Sequence, residues 1–587
     1  MTRLCILLII SLLTLPVFSQ SVSINTDGST ADPSAILDVR STTKGVLVPR
    51  MTKAERDAIS TPAAGLMVYQ TDNTPGLYMY SGTSWSSLTM VTQVWGISGN
   101  NGTNPATDFL GTADNNPLRF RLNNKWAGEL NHSSGNACLG DSAGIMMSSG
   151  FSNTSFGNKS LKKNSTGKQN VSFGYKSLMN NTTGDLNTAV GHNSLQNNMT
   201  GFENTALGSG TLSVNNGGYY NTAMGAAALY FNNNNGNTAV GAYSLYANTA
   251  HENTAVGMRS LQINSYGFAN TAVGAYSLYQ NTGGYYCTSV GHSALYTSST
   301  GDYNTALGAN ALHNNEYGAS NTAVGANALY SNNVGYDNTA VGEKSLYNAT
   351  TSIYNSALGY KAAYYTTTGG SNVAVGFWSL YNNTTGSQNV GIGNEALAYN
   401  YTGTYNVAVG SFSGTSTTFN NTVSLGNHGY LNGGNNQSFL GNLSTIWNGG
   451  NVGWSTYSDA RVKTDIEEDV KGLDFITRLR PVTYHRDIDI QAQLTGNVPV
   501  ERTENSHDIE QIKFSGFLAQ EVAQAAQSSG YEFSGITFPG NDHELYTLRY
   551  ETFVVPLVKA VQEQQAIIDE LKSKLAAVEK YIEEHRK

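Results

Sequence analysis

Cysteine is almost missing from this chain: its 587 residues include three, Cys5, Cys138 and Cys287. A disulfide scaffold is thereby excluded, and no metal-ligand spacing exists. Charge is sparse as well, at 12% of residues with a net charge of −9. That balance offers no basic footprint for nucleic acid. Long helical patterning is missing from the middle of the chain, where no segment between turn signals could form an ordinary amphipathic helix. That region also has no column of paired carboxylates or histidine cluster of the sort glycan hydrolysis needs. The apolar run Leu4 to Leu15 is too short for a membrane span with stop-transfer flanks. Arg3 precedes it and Val17-Phe18-Ser19 follows, so residues 1–19 read as a secretory signal peptide, with a retained anchor as the alternative. Cys5 sits inside the apolar run rather than at its exit, which does not support a lipoprotein anchor.

What the chain has instead is a tandem repeat from Asn136 to about Gly426. The consensus N-T-A-V-G-x-x-S-L-x-x-N-x-x-G-x-x is nearly intact from Asn187 to Glu203. Seventeen units follow at a step of 17 residues, shortened to 16 at Asn221→Asn237 and Asn237→Asn253. A fixed period over so many units predicts a solenoid. The T-A-V run favours a short strand, and stretches such as Asn198 to Gly201 read as turns. The fifth position is glycine in every unit, which implies positive φ or close approach between rungs. The apolar fourth position and the leucine at the ninth are both expected inside a narrow coil. The leading asparagines are expected to stack into a ladder. At ~4.8 Å per rung, seventeen units rise ~80 Å. Cys138 and Cys287 then lie nine rungs apart, ~43 Å, too far for a disulfide.

The N-T-A-V-G-x-x-S-L units resemble the head repeats of trimeric autotransporter adhesins. That resemblance implies parallel β-rolls packed three together. The repeat here is longer than the usual head repeat, and the family's C-terminal membrane barrel is missing.

Residues 20–90 alternate short strands with turn residues and resemble the N-terminal module of secreted bacterial fibre proteins. They are expected to form a β-rich cap. Tyr78, Tyr80 and Trp85 there suit either core packing or carbohydrate contact. Residues 91–135 are expected as a β-rich connector, 136–447 as the repeat fibre with a degraded rung at Gln437 to Gly441, and 448–457 as a linker. Charge and helical patterning rise from Lys463 onward.

Residues 458–587 open on Ser458-Asp459-Ala460-Arg461-Val462-Lys463. On its own this motif would be a solvated charged turn. Leu479-Arg480-Pro481, Tyr484, Gly516 to Val522 and Tyr550 to Glu563 follow it in order. Together they resemble the self-cleaving S74 peptidase family, the intramolecular chaperone domain of phage endosialidases and tailspikes. The resemblance implies cleavage between Tyr457 and Ser458, with Ser458 as nucleophile and Lys463 as general base. Burial or a cationic neighbour would have to lower the lysine's pKa. Arg461 could serve as that neighbour, hold Asp459, or hold the oxyanion. On a helix, Ser458 and Lys463 would face different ways, so the pair needs a looped start or a Lys463 from another subunit.

Val561, Gln564, Ile568, Leu571, Leu575, Val578 and Ile582 step by 3 and 4, an a/d seam that calls for partner chains. The expected fold is therefore mainly β: a parallel β-roll of 17-residue repeats, homotrimeric, with a C-terminal α+β chaperone domain ending in a coiled-coil helix. The expected function is a secreted or cell-surface adhesin fibre whose last domain directs assembly and then cleaves itself off. Its partners would be itself and surface glycans or proteins, with no cofactor and no metal. The alternative is a phage-type tail fibre or a tailspike acting on polysaccharide.

Overall fold

The computed structural model describes residues 21–88, 99–414, 418–427, 434–496 and 507–586. The expected signal peptide, residues 1–19, lies outside them. The chain divides into two compact units, the first ending at Gly111 and the second beginning at Thr112.

The first unit pairs Val22–Ile24 with Leu37–Val39 in parallel. Beside that pair it has a sheet of Arg50–Met51, Met67–Gln70, Gly76–Tyr80 and Trp85–Ser87. A short helix, Lys53–Asp57, starts at Thr52, whose side chain and that of Glu55 cap each other's backbone N–H groups. Arg56 on this helix is buried. It donates to Gln70 Oε1 at 2.6 Å and lies 4.4 Å from the centre of the Tyr78 ring. Tyr78 is itself buried, and Tyr80 packs on Trp85 at 5.4 Å. Tyr78 therefore serves packing, while Tyr80 and Trp85 are half-buried against each other.

In the second unit the strands Leu118–Leu122 and Lys125–Asn131 form an antiparallel pair against the first rung, Asn136–Leu139. Every later rung adds one three-residue parallel strand. Equivalent repeat positions are aligned: Thr188, Ala189 and Val190 oppose Thr205, Ala206 and Leu207. The ladder continues past the seventeen repeats through Val423–Leu425 to Ser438–Leu440. The short steps leave the register intact, with Thr222 opposite Thr238 and Thr238 opposite Thr254. The missing residue comes out of the turn. Asn232 Nδ2 reaches the carbonyl two residues on, at Asn234, where Asn198 reaches three residues on to Gly201.

The fourth-position column, expected inside, faces outward. Side chains alternate across a strand, so within Thr188–Val190 only the middle residue points in. Ala189 is fully buried while Thr188 and Val190 are not. The space opposite is filled by the ninth-position leucine, as expected: Leu195 is fully buried, like its equivalents along the coil. To turn inward these leucines take φ between +46° and +53°, a left-handed conformation uncommon for a residue with a Cβ.

The leading asparagines stack as expected. Asn187 Nδ2 donates to Asn170 Oδ1 at 3.1 Å and to Gly201 O at 2.8 Å. Its backbone N–H donates to the same Asn170 oxygen at 3.0 Å. A second buried ladder runs along the twelfth position: Asn198 Nδ2 donates to Asn181 Oδ1 at 2.9 Å and to Gly201 O at 2.8 Å. The eighth-position hydroxyls are also buried, and Ser177 Oγ donates to Ala189 O of the next rung at 3.0 Å. The interior is thus half polar, with most of its amides paired from rung to rung, as burial of a polar group requires. Cys138 and Cys287 are free and buried. Burial pushes the Cys138 thiol up to about 12 and the Cys287 thiol up to about 11.

Helical structure begins later than the sequence pattern suggests. After a single 3-10 turn at Ala460–Val462, residues 463–472 are non-helical, and the first helix is Leu473–Ile476. It packs against the terminal helix, Val554–His585. Phe475, Val522, Phe533 and Phe553 form the core between them. Among the described residues no helix is long and apolar enough to cross a membrane.

Candidate active site

The motif at Ser458 folds locally, through hydrogen bonds within six residues. Asp459 caps the 3-10 turn, its Oδ1 accepting from the Arg461 backbone N–H at 2.9 Å. The Arg461 side chain folds back onto the same carboxylate, with Nη2 at 2.6 Å from Oδ2. These two contacts, the guanidinium first, hold Asp459 below the usual carboxylate range. Of the three roles open to Arg461, the structure therefore shows the contact with Asp459. The turn ends at Lys463, whose extended backbone reverses the helical offset. Lys463 Nζ consequently donates to Ser458 Oγ at 2.8 Å within one chain. This looped start brings the pair together without a second subunit. Tyr457, Ser458 and Lys463 are all exposed in the single chain.

The later motifs meet each other in space. Arg480 Nε donates to Glu521 Oε2 at 3.0 Å, joining the Leu479-Arg480-Pro481 segment to the helix Ala519–Ser528. The Tyr550 hydroxyl accepts from the Phe517 backbone N–H at 3.0 Å. A Cβ at Gly516 would stand 2.2 Å from that hydroxyl, so a larger residue there would push the Tyr550 side chain aside. Glu563 Oε2, on the terminal helix, accepts from the Leu473 backbone N–H at 2.7 Å. That link escaped sequence reasoning, since a glutamate on a heptad helix looks like any solvated charge.

Two other features have ligand chemistry. Asp489, His507 and Glu510 bring their ligand atoms within 4.8 Å of one another. His507 Nε2 stands 3.3 Å from Asp489 Oδ1, and Glu510 Oε1 accepts from the Ile488 backbone N–H at 3.2 Å. On the solenoid an open groove of about 710 Å³ crosses several rungs between the eleventh and thirteenth positions. Gln280, Thr297, Asn314, Ser299, Glu316 and Asn333 are among the residues lining it. Beside it the tenth-position rings stack from Tyr279 through Tyr296, His313, Tyr330, Tyr347 and Tyr364 to Tyr381, with neighbouring centroids 4.9–5.5 Å apart.

No curated protein matches the chain. Residues 23–104 match the family model described as the phage tail like trimerisation region. Residues 458–531, which begin at the serine held by Lys463, match the peptidase S74 model, described as the chaperone of endosialidase. Those two modules, with the β-solenoid between them, fit a trimeric protein of the tail-fibre or tailspike type whose C-terminal part is a self-cleaving intramolecular chaperone.

Proposed function

We propose that the chain is a secreted or cell-surface homotrimeric fibre, an adhesin, whose C-terminal domain directs trimer assembly and then releases itself at Tyr457–Ser458. The observation that carries this reading is the 2.8 Å contact from Lys463 Nζ to Ser458 Oγ at the first residue of the chaperone match. In the proposed reaction Lys463 takes the Ser458 hydroxyl proton and Oγ bonds to the Tyr457 carbonyl carbon. The Tyr457–Ser458 C–N bond breaks as the departing amine receives that proton. Water then hydrolyses the ester, leaving a Tyr457 carboxylate and a new N-terminus at Ser458. A lysine acts as such a base once it is removed from bulk water. Lys463 is exposed in one chain, so surfaces contributed by the other copies complete the site. The hydroxyls and amides of the solenoid groove supply the surface on which a glycan partner would lie.

The test is intact mass and a denaturing gel on wild type, Ser458→Ala and Lys463→Met. Wild type is expected to yield a fragment starting at Ser458, and both variants to stay whole. Cleavage in either variant at the wild-type rate removes that residue from the mechanism. The match to a phage tail like region favours a second reading, a virion tail fibre or tailspike. N-terminal sequencing of the natural protein separates the two: loss of residues 1–19 marks secretion, and an intact start marks the virion protein.

A further inference from the structure

After the last rung, Ser438–Leu440, the chain makes a tight turn. The Asn442 N–H donates to Thr445 Oγ1 at 2.8 Å, and Asn442 Oδ1 accepts from the Ser444 N–H at 3.1 Å. Asn448 Nδ2 donates back to Leu440 O at 3.2 Å, which fastens the turn to the rung it follows. Leu443, inside this turn, is 7% exposed, yet it does not belong to the alanine and leucine core of the coil. It packs instead with Ile488, Ala492 and Ile509, all buried, and with Phe514. Those four residues lie within the match to the endosialidase chaperone, and Leu443 lies outside it.

The socket is built by the chaperone part alone. Ile488 and Ala492 stand one turn apart on the helix Ile488–Leu494, so they share a face. Ile509 stands on the 3-10 turn Asp508–Gln511. The cluster of Asp489, His507 and Glu510 clamps these two elements together. Glu510 Oε1 accepts from the Ile488 N–H at 3.2 Å, and His507 Nε2 stands 3.3 Å from Asp489 Oδ1. His485 Nδ1 stands 2.9 Å from the Glu510 carbonyl oxygen and holds the same turn from the other side of the sequence. The contact therefore crosses the cut: Leu443 is on the fibre side of Tyr457–Ser458 and its socket is on the chaperone side. The chain between is open to water, with Trp447, Val452 and Tyr457 exposed and Trp454 exposed by 94%.

We propose that Leu443 is a non-covalent latch, which keeps the chaperone fragment seated on the end of the fibre after the Tyr457–Ser458 bond has broken. The inference rests on the self-cleavage reading above and divides release into two steps, hydrolysis and unseating. Hydrolysis severs an exposed strand and leaves the apolar contact whole. Burial of one leucine favours the seated state roughly ten- to a hundredfold. In a trimer whose chaperone parts are joined to one another, three leucines hold at once, and retention rises well above that of a single contact.

The test uses the full chain as wild type, Leu443→Ala, Leu443→Met and Trp447→Ala. Each is left to process, diluted and passed over a gel-filtration column without denaturant, and its fibre fraction is run on a denaturing gel. The fragment starting at Ser458 is expected beside the fibre chain in wild type, in Leu443→Met, which refills the socket, and in Trp447→Ala, in the exposed strand. Leu443→Ala is expected to cut equally well and to lose the fragment from the fibre fraction at least about tenfold faster. A wild-type fragment that leaves the fibre on cutting, or a Leu443→Ala fragment that stays, overturns the latch and leaves self-cleavage standing. Leu443→Ala that remains whole while wild type cuts also overturns it, since the leucine then acts in cleavage rather than in retention. Wild type that never cuts overturns the self-cleavage reading and the latch with it.

Discussion

Asn332 Oδ1 is buried with no hydrogen-bond partner because the next rung has Ala349 at the twelfth position where most rungs have asparagine. Asn281 Oδ1 and the Ser298 hydroxyl, which takes the twelfth position in the next rung, are both buried without a partner. A buried acceptor without a donor costs on the order of 1–3 kcal/mol, and a restored bond returns about 1 kcal/mol. Ala349→Asn is therefore expected to stabilise the solenoid by about 1 kcal/mol. Its amide would stand where Asn198 donates to Asn181 at 2.9 Å, in a column already sized for asparagine. An unchanged or lower midpoint in guanidinium unfolding would sink this account of the ladder. The leading ladder was legible in the sequence because asparagine recurs there almost without exception. The twelfth-position ladder was not, because N-x-x-G reads equally well as an exposed turn. Only the fold shows that its first residue points inward while Gly201 O accepts from two amides, Asn187 and Asn198.

The rung depends most on its fifth-position glycine. Gly274 has φ +128°, and a Cβ there would lie 2.5 Å from the Gly291 carbonyl oxygen of the next rung. Backbone crowds backbone at this point, so the neighbour cannot rotate away as a side chain would. Gly274→Ala is expected to cost roughly 3 kcal/mol or more, from a disallowed φ together with the clash. Circular dichroism during denaturation would measure it. Val273→Ala, on the outward face one residue earlier, serves as the comparison and should cost far less within a single chain. An equal loss in the two variants would show that the rungs are not stacked this closely. Glycine in all seventeen units made this position readable in advance. The direction of the neighbouring fourth position was not readable, because a three-residue strand followed by a turn gives too short an alternation to reveal which face is inside. Alanine, the smaller side chain, occupies the interior, and the branched one is left outside.

At the scale of the whole molecule, the chemistry and the assembly meet in the last 130 residues. Ser458 and Lys463 touch in a single chain, yet none of the described residues buries them. The terminal helix shows the same incompleteness: Leu571 and Leu575 are 58% and 59% exposed on a 32-residue helix. The two are connected, because Glu563 on that helix accepts from the backbone of Leu473, at the first helix after the dyad. The motif order was legible from sequence. The cis contact was not, because it depends on Asp459 and Arg461 closing a 3-10 turn rather than an α-helix. A dyad complete in geometry but open to water should stay inactive until other copies cover it, which ties release of the chaperone to completed assembly. The variant Leu571→Asp with Leu575→Asp puts charges into the seam while leaving the core around Phe475 untouched. It should sediment as a smaller species and keep its far-ultraviolet circular dichroism outside the terminal helix. It should also remain uncleaved for as long as wild type takes to process fully. Trimers that cut normally would show that the seam is dispensable. Monomers that cut at the wild-type rate would show that one chain suffices, with Lys463 acting as base in open solvent and cleavage independent of assembly.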